Sequence, residues 1–195
     1  MTSESQSIGQ RYLIQWVLAT FGGWLLGIVA VLLLSELSDA VHMGNQFAVG
    51  LGMGLSVGFA QWRIARKWFS ATSEWMWYSA VAMALPFILT DVMAISWPSD
   101  ERFLLVQAAL GASLLGLLEW RILRSRSMRA HWWISTCIIG WMVPTAGIFL
   151  TITGHPSSPT AIIFNIGVIA FGGIVLGIVT GAMLAWILQS RTSAA

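Results

Sequence analysis

Charge is scarce in this sequence. Only 9% of its 195 residues are charged, whereas 57% are hydrophobic. A typical soluble domain carries about 25% charged residues, so this composition excludes a soluble globular protein. Six apolar stretches are long enough, or nearly so, to cross a hydrocarbon core of about 30 Å. They lie near residues 12–34, 46–63, 75–97, 103–122, 132–153 and 161–188. We therefore predict an all-α polytopic membrane protein with six transmembrane helices.

Residues that carry redox, metal or hydrolytic chemistry are also scarce. The single cysteine, Cys137, falls inside the fifth apolar stretch and cannot form an intrachain disulfide. The three histidines, His42, His131 and His155, fall in predicted loops or at helix ends on both sides, so we expect no metal site. The sequence also lacks a nucleotide-binding glycine loop, paired carboxylates at helical spacing and a nucleophile with a base partner. We expect neither enzymatic activity nor a cofactor.

The first residues, "MTSESQSIGQ", lack the basic region and cleavage site of a secretory signal peptide. We therefore expect a polar cytoplasmic N-terminus at residues 1–11, one transmembrane domain at 12–190 and a cytoplasmic tail at 191–195. The connecting loops are too short to form a nucleic-acid-binding module or any other extramembrane domain.

The basic residues are distributed unevenly. If six helices alternate, nine of the ten basic residues fall on one side and only Arg102 falls on the other. The nine are Arg11, Arg63, Arg66, Lys67, Arg121, Arg124, Arg126, Arg129 and Arg191. The opposite loops carry Glu36, Asp39, Asp100 and Glu101. Because basic loops stay in the cytoplasm, we predict a multi-pass protein of the inner (plasma) membrane with both termini cytoplasmic.

One phrase occurs twice. "GFAQWRIARKW" at residues 58–68 returns as "GLLEWRILRSR" at 116–126. A step of 58 residues relates Gly58 to Gly116, Gln61 to Glu119, Trp62 to Trp120, Arg63 to Arg121, Arg66 to Arg124, Trp75 to Trp133 and Pro86 to Pro144. A step of 59 residues relates Trp16 to Trp75 and Trp24 to Met83, which in turn corresponds to Trp141. We predict three parallel two-helix repeats, at about 12–66, 75–126 and 132–191, around a pseudo-threefold axis.

The repeats make two predictions about packing. Small residues four positions apart mark one face of each even helix: Gly54 and Gly58, Ala112 and Gly116, and Gly173, Gly177 and Gly181. Such faces let helices approach closely in lipid, either within the bundle or between two copies of the chain. We also expect the odd helices to kink at Pro86 and Pro144, where the proline removes a backbone hydrogen bond.

The phrase itself is typical of an interfacial anchor. Its tryptophans and arginines stand where a helix meets the cytoplasmic headgroups: Trp62, Arg63 and Arg66, and Trp120, Arg121 and Arg124. We expect these residues to contact membrane lipids, in particular anionic headgroups. A protein partner or a homo-oligomer is left open, and no nucleic acid is expected.

Asp91 is a carboxylate at a position that is apolar in the other two repeats, where Leu32 and Phe149 stand. It follows Pro86 by five residues, within the expected hydrocarbon span. Intramembrane carboxylates often mark a ligand or proton site. The alternative is that Asp91 reaches water or forms an internal hydrogen bond.

Gln61, Glu119 and Thr180 occupy corresponding positions of the three repeats. They would form one polar ring if all three point inward. The alternative for Glu119 is an interfacial carboxylate that nearby arginines neutralise.

Tryptophan is abundant, with twelve residues, and nine of them lie near the expected cytoplasmic face. The nine are Trp16, Trp62, Trp68, Trp75, Trp77, Trp120, Trp132, Trp133 and Trp186. An aromatic belt at the interface explains this distribution. A ligand cage is the alternative, and Trp24 and Trp141, which lie deeper at matched positions, are its better candidates.

The phrase Gly-x-x-Gln-Trp-x-x-x-Arg, at Gly58–Arg66 and with glutamate at Gly116–Arg124, resembles a family of small multi-pass bacterial membrane proteins that carry this hairpin repeatedly. The resemblance extends from Trp16 onward. It implies the helical-hairpin architecture and a bacterial origin, and it implies no catalytic residue.

Two functional classes are consistent with these features. The first is a non-enzymatic membrane module: an accessory or assembly subunit, or a protein that interacts with a lipid or ligand. The second is a small transporter or substrate-binding membrane subunit, since the helix number and length are similar to those of the substrate-capturing components of energy-coupling vitamin transporters. A transporter needs several inward polar groups. The mid-membrane polar residues are few, so we favour the first class.

Overall fold

The structure is a computed structural model, and it describes residues 3–40, 45–94, 103–154 and 158–189. The described residues fold into six long helices: α1 (Ser3–Ala40), α2 (Gln46–Phe69), α3 (Glu74–Ala94), α4 (Phe103–Leu123), α5 (Trp132–Thr153) and α6 (Pro159–Gln189). A short 3-10 helix at Met128–His131 precedes α5. Several predicted features lie outside the described residues: the tail at 191–195, Arg191, Arg102, Asp100, Glu101, His42 and His155.

The helices form a closed ring. Each helix packs against its neighbours in chain order, and α6 packs back against α1. Neighbours are antiparallel, since the start of α1 meets the end of α2 at Gln15 and Trp68. The end of α3 likewise meets the start of α2 at Asp91 and Phe47. We call the end where α1, α3 and α5 begin the basic end, because all the described lysines and arginines lie there.

Five of the six helices are long and apolar enough to cross a membrane by length and composition. These five segments are Gln10–Ala40, Glu74–Ala94, Phe103–Leu123, Met128–Thr153 and Ile162–Leu188. The exception, α2, is 24 residues long but is rich in glycine and carries three basic residues in its last two turns. Glycine contributes little hydropathy, and α2 carries it because this helix packs tightly between α1 and α3.

The predicted small-residue faces pack within the bundle. A Cβ atom added to Gly54 would lie 2.6 Å from the carbonyl oxygen of Ser79 in α3. A Cβ added to Gly116 would lie 2.8 Å from the Cα of Ile134 in α5, and one at Gly173 would lie 2.4 Å from the Cβ of Trp24 in α1. The prediction of close approach is confirmed, and each even helix directs this face at the odd helix that follows it around the ring.

Two helices extend well beyond the apolar stretches that predicted them: α1 spans Ser3–Ala40 against 12–34, and α2 spans Gln46–Phe69 against 46–63. The first helix begins at Ser3, within residues 1–11, which we expected to be a polar N-terminus. The polar residues that precede the apolar stretch of α1 are compatible with a helix. The helix therefore begins before the apolar stretch does. Both Pro86 and Pro144 lie inside continuous helices and are buried.

Replacing Gly54 by alanine tests the close approach of α2 and α3. The new methyl group would overlap the Ser79 carbonyl oxygen and the Met83 Cβ. We expect Gly54→Ala to lower the free energy of unfolding by about 1–3 kcal/mol, the usual cost of overpacking. Unfolding in mixed micelles measures this change.

The matched control is Gly22→Ala, because nothing lies within 4 Å of a Cβ at Gly22. We expect the control to be neutral or to gain up to about 1 kcal/mol from its better helix propensity. Equal stability of the two variants would show that the contact at Gly54 is not tight.

Candidate functional site

Three tryptophans form an aromatic layer inside the basic end of the bundle. Trp16, Trp75 and Trp133 stand near the starts of α1, α3 and α5, and all three side chains are 0% exposed. The ring centroids of Trp16 and Trp75 are 6.1 Å apart, and those of Trp75 and Trp133 are 5.8 Å apart. These rings pack in the interior, so the belt explanation does not apply to them.

Glu119 is buried beside this layer and is only 1% exposed. Its carboxylate accepts hydrogen bonds from Trp133 Nε1 at 2.8 Å and from Ser79 Oγ at 2.9 Å. The thiol of Cys137 lies 3.9 Å from the same carboxylate. Glu119 therefore bridges α3 and α5 from α4.

The arginine explanation for Glu119 is wrong. The carboxylate forms no ion pair with any described residue, and the neighbouring Arg121 side chain is exposed. The physical reason is the helical register, since two positions along a helix separate the two side chains by about 200°. Glu119 points into the bundle, while Arg121 points out.

Gln61 and Thr180 are also buried and also bond to odd helices. Thr180 Oγ1 accepts a hydrogen bond from Trp16 Nε1 at 2.9 Å, which joins the last helix to the first. Gln61 Nε2 donates to Thr20 Oγ1 at 3.3 Å. We call Thr20, Gln61, Ser79, Glu119 and Thr180 the polar layer. The predicted ring residues are therefore all buried and bonded to odd helices, and their role as a ligand ring stays a prediction.

Sequence reasoning missed Thr20 and Ser79. A signal for them was present, because steps of 59 and 58 residues relate Thr20 to Ser79 and Ser79 to Cys137. All three are small, and all three side chains are buried. Only the structure shows that their polar atoms face the even-helix residues.

A cavity of about 170 Å³ lies in the other half of the bundle. Its wall is almost wholly apolar and draws residues from all six helices. The lining residues are Trp24, Ile28, Val31, Leu32, Val49, Met53, Met83, Phe87, Leu104, Ala108, Trp141, Thr145, Ile148 and Ile169. The two tryptophans that we singled out as cage candidates, Trp24 and Trp141, are both among them.

The two cavity tryptophans are held in place. Their ring centroids are 5.7 Å apart with an interplanar angle of 39°. Trp24 Nε1 donates to the carbonyl oxygen of Ile169 at 2.8 Å, and Gly173 leaves room for the Trp24 side chain. The cavity wall is therefore fixed before any ligand enters.

Polar groups near mid-membrane are mostly satisfied by their own helices. The hydroxyl of Thr145, which lines the cavity, donates to the Trp141 carbonyl at 2.7 Å. The hydroxyl of Thr136 likewise donates to the Trp132 carbonyl oxygen at 2.9 Å. Gln107 is different, because neither its side-chain nitrogen nor its oxygen has a hydrogen-bond partner in the structure, although the residue is buried. It lies one turn from Leu104 and next to Ala108, both of which line the cavity.

Asp91 caps the start of α2. Its two carboxylate oxygens accept hydrogen bonds from the backbone N–H groups of Gln46 at 3.1 Å and Phe47 at 2.7 Å. Asn45, the residue before α2, gives no side-chain cap of its own. A carboxylate at a helix N-terminus satisfies free N–H groups and interacts favourably with the helix dipole. The alternative of an internal hydrogen bond thus describes Asp91.

The interfacial anchors share one geometry. The guanidinium carbon of Arg66 lies 5.6 Å from the Trp62 ring centroid, and that of Arg124 lies 5.6 Å from Trp120. Both are cation–π contacts between residues four apart, although Arg124 lies just past the end of α4. The basic residues Arg63, Arg66, Arg121 and Arg124 are all exposed at the basic end.

Replacing Glu119 by leucine would leave the N–H of Trp133 without its acceptor, whereas the Ser79 hydroxyl could still donate to the Trp75 carbonyl oxygen, 2.9 Å away. An unpaired buried donor costs about 1–3 kcal/mol, so we expect Glu119→Leu to lower the free energy of unfolding by at least that amount. Glu119→Gln keeps an acceptor and matches the residue at Gln61, so we expect near-native stability. Wild-type stability of Glu119→Leu in mixed-micelle unfolding would contradict this role.

Removing the carboxylate of Asp91 tests the cap. We expect Asp91→Ala to destabilise the protein by about 0.5–2 kcal/mol, as loss of an N-cap does, and Asp91→Asn to lose less because it keeps one acceptor oxygen. Hydrogen exchange at the first turn of α2 should rise in the same order. Unchanged exchange in Asp91→Ala would show that the hydrogen bonds contribute nothing.

Comparison with known proteins provides no functional information. No protein-family model matches this chain, and neither a curated protein nor a solved structure matches it. Function therefore has to be inferred from the apolar cavity, the polar layer and the basic end of the bundle.

Proposed function

We propose that this protein is a non-enzymatic integral-membrane binding protein that holds a small lipophilic molecule, or one end of a larger one, in its central cavity. The observation that carries the proposal is the cavity itself, which residues from all six helices line. The cavity is half open, since Leu32 in its wall is 62% exposed. A fitted apolar ligand would gain dispersion contacts with this wall.

The size and chemistry of the cavity support an apolar ligand. Its volume of about 170 Å³ suits a group somewhat larger than benzene, since an engineered apolar cavity of about 150 Å³ takes up benzene. The aromatic faces of Trp24 and Trp141 offer stacking surfaces for a flat or unsaturated group. The hydroxyl of Thr145 donates its hydrogen bond within its own helix. The cavity wall therefore offers few free hydrogen-bonding groups to a polar solute.

The hydrogen bonds of the polar layer at the basic end favour a binding protein over a transporter. A transporter needs polar groups that are free to meet a solute near the middle of the membrane. In the polar layer, Glu119 and Thr180 are instead engaged by the indole N–H groups of Trp133 and Trp16. The aromatic layer packs beside them without exposed surface. A small transporter or substrate-binding subunit is therefore the weaker candidate.

We further propose that the bundle consists of three parallel two-helix repeats around a pseudo-threefold axis, and that α2 crosses the membrane with the other five helices. The shared burial of Trp16, Trp75 and Trp133, at corresponding repeat positions, supports the repeats. The grouping of the described basic residues at one end supports cytoplasmic termini in the plasma membrane. Membership of the bacterial hairpin-repeat family is part of the same proposal.

Filling the cavity tests the proposed function. Ala108 lines the cavity, whereas its neighbour Ala109 does not, so Ala108→Leu and Ala109→Leu add the same atoms in different places. We expect wild-type protein, extracted from its own membrane into lipid discs, to carry a constant extra mass in native mass spectrometry. Ala108→Leu should lose this mass because the new side chain occupies the cavity.

Ala109→Leu is the matched control and should retain the extra mass. A wild-type protein that carries only the mixed lipids of the disc would contradict the proposal. Retention of the mass by Ala108→Leu would equally contradict it, because the ligand would then lie elsewhere.

A further inference from the structure

A second concave site lies on the outside of the bundle, at the end of α2. Phe59, Trp62, Arg63, Arg66 and Lys67 line a surface pocket of about 510 Å³. Its aromatic residues come from the turn that precedes the basic residues, so one side of the pocket is apolar and the other is positively charged. We call this the α2 pocket.

The cations of the α2 pocket are not neutralised by the protein. Arg63, Arg66 and Lys67 are exposed, and none forms an ion pair with a described residue. Arg66 instead lies over the Trp62 ring, with 5.6 Å between its guanidinium carbon and the ring centroid. A guanidinium that stacks by its face keeps its N–H edge free for a phosphate or carboxylate.

The corresponding position of the next repeat is a natural comparison. Arg124 lies over Trp120 at the same 5.6 Å, and Arg121 corresponds to Arg63. However, the step of 58 residues places Ser125 where α2 has Lys67. The next cation, Arg126, is engaged by the protein, since it donates to the Phe69 carbonyl oxygen and its guanidinium carbon lies 5.1 Å from the Phe69 ring centroid.

We propose that the α2 pocket binds the phosphate of an anionic phospholipid. Arg63, Arg66 and Lys67 contact the phosphate, and the start of the lipid tail lies along Phe59 and Trp62. Three cations without an ion pair to a described residue lie within five positions, although Lys67 Nζ also donates to Gln15 Oε1 at 3.5 Å. This excess of positive charge favours an anionic headgroup over a zwitterionic one.

The apolar side of the pocket selects a lipid over free phosphate. Phe59 is 38% exposed and lies on a helix whose neighbours α1 and α3 are membrane-crossing by length and composition. A free phosphate would leave that ring without a partner, whereas a lipid tail covers it. We therefore expect the site to discriminate between phospholipids that have identical tails and different headgroups.

Lipid titration tests the assignment. Delipidated protein is titrated with phosphatidylglycerol or phosphatidylcholine of identical tails, and bound lipid is counted by native mass spectrometry. We expect one phosphatidylglycerol to bind more tightly than phosphatidylcholine. The double variant Arg63→Gln/Arg66→Gln should weaken that preference about thirtyfold, since each of the two surface cations contributes about 1 kcal/mol toward an anionic lipid.

The matched control is Arg121→Gln/Arg124→Gln, which removes the same charge from the same end of the bundle. It should keep the tight phosphatidylglycerol site. Equal loss in both double variants would overturn the proposal, because the preference would then follow net charge alone. Added inorganic phosphate should not displace the lipid; displacement would show that the pocket takes free phosphate instead. Neither result depends on the central cavity, because the two sites share no lining residue.

Discussion

Backbone contact at glycine is the constraint on which this bundle depends. Apolar burial drives helix association only weakly in lipid, because lipid tails are as apolar as the side chains. Close packing must supply the missing energy, and α2, α4 and α6 achieve it by presenting small residues to the next odd helix. Each such contact leaves no room for a methyl group. These small-residue faces set which helices lie next to each other in the ring. We call their contacts the glycine seams, and helices held at these seams cannot move further inward to fill the cavity.

The same close packing allows polar groups to reach one another across helices. Burying an indole N–H or a carboxylate inside a membrane is costly unless the protein supplies a partner, and Trp75 Nε1 has none among the described residues. Glu119 receives two donors from two different helices, and Trp16 reaches across to Thr180. The polar layer thus fixes the rotation of the helices about their axes, whereas the glycine seams fix their separation. Together they leave the apolar half of the bundle rigid enough to keep a cavity.

Much of this architecture could be predicted from the sequence. Hydropathy placed six helices, because apolar length is a direct requirement of the bilayer. The repeated phrase located Gln61, Glu119 and Thr180, and matched tryptophans located Trp24 and Trp141. The partners could not be predicted, since Thr20 and Ser79 are ordinary in composition and become significant only when the helices are docked. Asp91 shows the same limit: its sequence position suggested a membrane site, but its partner is a helix end 44 residues away.

The hydrogen bond between Trp16 and Thr180 joins the first helix to the last. A ribosome delivers these residues 164 positions apart, so the indole of Trp16 enters the membrane long before its acceptor has been synthesised. During that interval α1 has only one of its two final neighbours, and the side that will receive α6 faces lipid or the insertion machinery. The ring can therefore close only after α6 has been synthesised, and until then the face of α1 that packs against α6 lacks its partner.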